Sequence, residues 1–185
     1  MPSTSRNMLT VVHTTDPTTK ALANLYEGRT DVALRITEKA SNASVVHALV
    51  QAQSVMLLGH GNEWGLFSTP DSSGHYDRLI VSGRHAEFLR PKPCIGIWCH
   101  ADAFARRYGL HGLFSGMIIS EMEEAKLYGV PTTEEELKEE LDRFAHRLAF
   151  CIEQYGPEGT PEVMKTLDDK QSPLTRFNYE RLFYT

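Results

Sequence analysis

Long apolar runs are missing from this chain. Nothing in it approaches the ~20 consecutive apolar residues of a membrane-spanning helix. Residues 1–7 are polar and contain no apolar stretch of the kind a signal peptide carries, so a cytoplasmic protein with no membrane partner is expected. Cysteine is scarce. Cys94, Cys99 and Cys151 are the three in the chain, with no CxxC pair, and an odd number so placed excludes a disulfide framework and a thiolate zinc site. Reduced thiols are the expectation. Basic clusters are missing as well, and with a formal charge of −5 the chain lacks the electrostatic footprint of a nucleic-acid binder. His13, His47, His75, His85, His100, His111 and His146 show no HExxH or comparable ligand spacing, so neither a metal nor another cofactor is implied. Internal repeats, low-complexity tracts and linkers are absent too.

What remains is a composition suited to one compact domain: 185 residues, 41% of them hydrophobic. Short β-rich apolar runs alternate with segments of helical period, which predicts an α/β domain with a mainly parallel sheet. Strands are expected over residues 8–13, 31–36, 54–58, 94–98 and 113–119, with a short one at 79–81 and a last one at 181–184. Asp16-Pro17 reads as a helix cap and first helical residue, followed by the stripe Leu22, Leu25, Tyr26 and a stop at Gly28. A second helix holds Val45, Val46, Ala48 and Leu49 behind a cap at Ser41 or Asn42. Residues 62–77 read as a hairpin or loop over the sheet edge, 83–89 as a short helix, and 100–108 as a helix ending at Gly109. The polar stretch 121–124 reads as solvated surface. Leu137, Leu141, Phe144, Leu148, Cys151, Ile152 and Tyr155 recur at three- and four-residue steps, predicting a helix over 133–155 that stops at Gly156. A proline-punctuated loop and a helix over 161–167 are expected after it.

Two strand ends carry the chemistry. Val55-Met56-Leu57-Leu58 breaks into Gly59-His60-Gly61, and Ile95-Gly96-Ile97-Trp98 breaks into Cys99. If the strands are neighbours, a thiol and an imidazole reach one rim of the sheet, as a thiol nucleophile and its proton-transfer partner require. Placement of Cys99 at a helix N-terminus predicts a lowered thiol pKa and makes it the most reactive of the three cysteines. His60 would move the proton, and the backbone N–H groups of Gly61 and Cys99 would stabilise an oxyanion. A plainer reading makes His60 a turn residue and Cys99 a buried strand end. Cys94 and Cys151 read as packing residues. Asp16 follows the first strand, so it either caps a helix or enters the site.

The His-Gly and Cys strand ends resemble those of the caspase-like cysteine peptidases (clan CD), a superfamily that includes caspases, metacaspases, gingipains, clostripain and separases. Gly59-His60-Gly61 followed closely by Trp64-Gly65-Leu66 looks like its prokaryotic members. The resemblance implies a three-layer α/β/α sandwich with a sheet of about six strands, a Cys99/His60 dyad, and peptide or protein substrates. In lysine- or arginine-cleaving relatives an acidic residue near the site receives the basic side chain. Here Asp16, Glu121 and Glu123 are the substrate-binding candidates. Caspases proper carry Gln-Ala-Cys-x-Gly, whereas this chain has Ile97-Trp98-Cys99-His100-Ala101, so their preference for aspartate is not implied. The 39 residues from His60 to Cys99 are fewer than the roughly 50 of caspases. The short connection after the Cys99 helix leaves little room for a cleavable inter-subunit linker.

The alternative is a catalytically silent caspase-like or flavodoxin-like α/β domain that binds a partner, since fold does not imply activity. A nucleotide loop built on Gly59, Gly61 and Gly65 has little support, because it follows the third strand and opens no helix to hold phosphate.

Overall fold

The computed structural model describes residues 8–14, 16–76, 78–168 and 171–185. The polar segment 1–7 and the last residue of the loop expected over 62–77 lie outside them.

Six strands form the main sheet, in the order β2-β1-β3-β7-β8-β9. They are β1 (Leu9–His13), β2 (Val32–Ile36), β3 (Ser54–Leu58), β7 (Cys94–Ile97), β8 (Gly112–Ser115) and β9 (Leu182–Tyr184). The first five pair in parallel and β9 runs antiparallel to β8. Three short antiparallel strands, β4 (Gly61–Asn62), β5 (Gly65–Phe67) and β6 (Leu79–Ser82), make a second sheet. The hairpin expected over the sheet edge is therefore two strands of a small sheet, with the strand expected at 79–81 as its third.

Central strands without polar interruptions are buried on both faces, and consecutive side chains feed two different cores. Leu9, Val11, Met56 and Leu58 pack against one helical layer, while Val12, Val55 and Leu57 pack against the other. The first layer is a 3-10 helix over Lys20–Leu25 and the helix α5 (Glu134–Lys165). The second holds α1 (Asn42–Gln51), α2 (Ala86–Leu89), α3 (Ala101–Tyr108) and the small sheet. A third cluster joins α4 (Met122–Leu127), the start of α5 and α6 (Pro173–Tyr179) through Ala125, Leu137 and Leu174. Caps start the helices where small polar residues stand. Ser41 accepts from the Ser44 N–H at 3.1 Å, and Thr133 from the Glu136 N–H at 3.1 Å. Among the described residues, no helix is long and apolar enough to cross a membrane.

Several elements differ from the sequence reading, each for a local reason. The strand expected to run to residue 119 stops at Ser115, whose Oγ accepts from Trp98 N–H at 3.0 Å and donates to Trp98 O at 2.8 Å. A side chain thus replaces the next ladder bonds, and the chain turns away. The stretch 121–124 opens α4, because Glu121 and Glu124 form a reciprocal capping box. Gly156 does break the long helix (φ 71°, ψ 168°), but helix resumes at once in place of the expected loop. Pro157 fits there, since the first residue of a new helical turn needs no N–H partner. The helix α6 was not expected from the sequence, although Ser172-Pro173 is a start signal of the same kind.

Gly61 is a close-packed point beside the Trp98 ring. A Cβ at this position would overlap Trp98 Cδ1 and the Gly65 carbonyl. Trp98 is buried, and its Nε1–H donates to Asn62 O at 3.0 Å, tying the small sheet to the end of β7. Replacing Gly61→Ala should lower the unfolding free energy by about 1–3 kcal/mol, seen as a reduced urea midpoint with an unchanged slope. A wild-type midpoint would mean that the hairpin yields freely.

Candidate active site

The ladder brings three strand ends to one level. His13 pairs with Leu58 and Leu58 with Ile97, and Gly59 N–H extends the ladder to Ile97 O at 3.2 Å. His60 lies two residues beyond Leu58, and Cys99 two beyond Ile97. Both line one small cavity at the carboxyl ends of the parallel strands, where open α/β sheets characteristically bind ligands.

Asp16 uses its two carboxylate oxygens differently. Oδ1 accepts from Thr18 N–H at 2.8 Å, Thr19 N–H at 3.1 Å and the Thr18 hydroxyl at 2.7 Å, closing the turn that leads into the 3-10 helix. Oδ2 lies 3.1 Å from His60 Nε2 and accepts from Tyr76 OH at 3.0 Å. The expected helix does not start at Pro17: a 3-10 helix begins only at Lys20 with Thr19 as its N-cap, so Asp16 closes the turn before it rather than capping it, and the site reading of Asp16 is the one its Oδ2 contact supports. Thr18 Oγ1 is also 2.8 Å from His60 Nε2. Because that hydroxyl donates to Asp16, it accepts from the imidazole, and the network assigns the proton to Nε2. Nδ1 is left as the ring nitrogen with no protein partner among the described residues. Tyr76 closes the other side, its ring stacked on Phe67 with centroids 5.2 Å apart and tilted against His60 at 5.3 Å.

Burial alone would lower the His60 pKa. The hydrogen bond and charge of Asp16, reinforced by Glu121 and Glu124, outweigh it and raise the pKa above the ordinary 6.5. Burial would likewise raise Asp16, but its bonds from His60 and Thr18 hold it well below the usual carboxylate range. His13 at the end of β1 contrasts with His60. It is fully buried between Tyr26 OH at 3.0 Å and Thr19 O at 3.2 Å, and burial pushes its pKa down to about 4. It anchors the Asp16 turn as a neutral ring.

Cys99 departs from the expected low pKa. Burial, with the charges of Glu124 and Glu121, pushes its thiol up to about 12. The helix start is one residue removed from the thiol: α3 begins at Ala101, and His100 intervenes in the left-handed region (φ 68°). Such a φ is uncommon for a residue with a side chain, and here it turns the chain sharply beside the thiol. Sγ donates to Ile118 O at 3.4 Å, and no hydrogen bond joins it to His60. Cys94 and Cys151 are fully buried in the two cores.

Of the two backbone donors expected at an oxyanion site, one belongs to the thiol residue itself. Cys99 N–H has no acceptor among the described residues. Phe67 N–H donates to His60 O at 2.8 Å, which makes 60 and 67 a hydrogen-bonded pair. By antiparallel alternation the Gly61 N–H then points away from β5. Of the other substrate-binding candidates, Glu121 is exposed at the α4 cap and its charge reaches both His60 and Cys99. Glu123 is exposed on α4 and is not among the charges acting on either residue. Glu124 instead takes that place, its Oε2 accepting from Ser120 N–H at 2.7 Å and Glu121 N–H at 3.1 Å.

Sequence reasoning missed Thr18, Tyr76 and Glu124. Thr18 had a signal, since Asp-x-Thr after a strand is a self-bonding turn. Tyr76 had none, because a loop delivers it from outside the sheet. Among the described residues, no three His, Cys, Asp or Glu gather in a way that could hold a metal ion.

The Asp16 contact carries a pH prediction. The His60 imidazole should titrate above 6.5 by NMR in the wild-type protein and at a lower pH in Asp16→Asn. The associated stabilisation is full below 6.5 and is lost as pH rises through the folded-state pKa. An identical titration in both proteins would remove Asp16 as the cause.

No family model matches this chain, and no curated protein and no solved structure matches it either.

Proposed function

We propose that this chain is a caspase-like cysteine peptidase in which Cys99 attacks a peptide carbonyl and His60 carries the proton. The observation that bears the reading is the in-register pairing of β3 and β7, which brings His60 and Cys99 to one cavity. The Cys99 thiol gives its proton to His60 Nδ1 as sulfur bonds to the carbonyl carbon, and the resulting oxyanion takes the N–H groups of Cys99 and Gly61. His60 then passes that proton to the amine nitrogen as the C–N bond breaks, leaving a thioester. Water attacks the thioester, its proton passes through His60 to the departing sulfur, and the acid product leaves with the thiol restored. Asp16 orients His60 through Nε2 and stabilises the imidazolium, the part a buried carboxylate plays in a catalytic triad. That engagement makes Asp16 a positioning residue and leaves Glu121 as the exposed acid at the rim.

The second reading, a partner-binding domain without activity, is favoured by one observation: the resting thiol is neutral and turned to Ile118 O. The two readings divide on turnover. Incubation with a peptide library at pH 7.5 and pH 9 should yield new carboxyl termini by mass spectrometry, and Cys99→Ala and His60→Ala should each abolish them. An intact library at both pH values would leave the partner-binding domain standing.

The neutral thiol also sets reactivity. Alkylation of Cys99 by iodoacetamide, followed by peptide mapping, should be slow at pH 7 and at least tenfold faster at pH 9.5, since only the thiolate reacts. A rate already on a plateau at pH 7 would reveal a preformed thiolate–imidazolium pair.

A further inference from the structure

The cavity beside Cys99 differs in character from the acidic rim above it. Its volume is about 40 Å³, and Ile118 and Phe144 form buried walls while Ala21, Leu22 and Leu141 are half-buried. A void needs roughly 10–15 Å³ by the same measure to hold one water, so this one takes a group of a few carbon atoms. His60 and Cys99 line it, but among the described residues no Asp, Glu, Lys or Arg does. Of the acids whose charges reach His60 and Cys99, Asp16 is held by the turn and His60 and Glu124 by the α4 cap, while Glu121 stands exposed outside the lining. A charged side chain entering this space would lose its water without a counter-charge in contact with it, at a cost that the few hydroxyls present do not offset.

We infer that this cavity receives a short, uncharged aliphatic side chain, that of the substrate residue whose carbonyl Cys99 attacks. The inference rests on the peptidase reading and departs from the acidic pocket that Asp16, Glu121 and Glu123 suggest in the sequence. The 3-10 helix and α5 supply Ala21, Leu22, Leu141 and Phe144, and the segment after β8 supplies Ile118, so most of the selecting surface belongs to the helical layer. Ala21 and Leu22 lie in the 3-10 helix that follows the turn Asp16 organises. Selection and proton transfer therefore share one structural support.

The test is a set of tripeptidyl acyloxymethyl ketones with Ala, Val, Arg, Asp or Phe next to the reactive ketone, applied to the full chain. The Cys99 thiolate displaces the carboxylate leaving group and forms a thioether, read by intact mass and assigned by peptide mapping. The Ala or Val reagent should label Cys99 at least tenfold faster than the Arg and Asp reagents, and Cys99→Ala should abolish the labelling. Fastest labelling by Arg, Asp or Phe would overturn the cavity assignment while leaving the peptidase reading intact. If no peptidyl reagent labels Cys99 although iodoacetamide does at pH 9.5, the peptidase reading fails and the inference with it. A second variant, Leu141→Glu, places a carboxylate at the cavity and should raise the Arg-to-Val rate ratio at least fivefold. An unchanged ratio would mean that the substrate side chain lies elsewhere.

Discussion

The parallel ladder between β3 and β7 is the contact on which the rest of the site depends. Val55 opposite Cys94 and Leu58 opposite Ile97 fix how far each strand rises before it ends. A slip of one residue would exchange the faces of every side chain and send Leu57 and Leu58 into the wrong cores. Burial on both faces makes that exchange costly, so the register is held by the same hydrophobic energy that holds the fold. The positions of His60 and Cys99 then follow. Neither residue contributes to the ladder, and each is set by apolar neighbours that have no chemistry of their own.

Around this frame, two attachments orient the polar groups. Asp16 ties a turn to an imidazole, using one oxygen for backbone N–H groups and the other for His60. Trp98 ties β7 to the small antiparallel sheet through Asn62, which holds the Gly61 backbone against the Trp98 ring. His13, neutral and twice bonded, braces the turn from below. The electrostatic result is asymmetric. Asp16, Glu121 and Glu124 favour a positive imidazole, while Glu121, Glu124 and burial disfavour a negative sulfur. The same acidic surroundings thus raise the proton affinity of the imidazole and of the thiol together.

Much of this was legible in the chain. The unbroken run 54–58, the Gly59-His60-Gly61 end and the helical stripe from Leu137 to Tyr155 announce a buried strand, a histidine at its end and a long packed helix through local periodicity alone. The elements that were misread are those whose ends are set by partners far along the chain. The strand at Ser115 ends because its hydroxyl serves Trp98, 17 residues earlier. Tyr76 joins the site from a loop 60 residues beyond Asp16.

The sequence by itself determined the alternation of strands and helices, and with it the delivery of a histidine and a cysteine by two apolar strands. Hydrophobic period and turn chemistry are local properties, so they can be read locally. Only the tertiary structure decided that Asp16 would serve His60, that Glu124 rather than Glu123 would act on the site, and that Cys99 would be a neutral thiol. Those outcomes depend on burial and on charges brought together across the sheet. A helix start beside Cys99 favours the thiolate, but the desolvation and acidic field that the folded chain imposes are stronger.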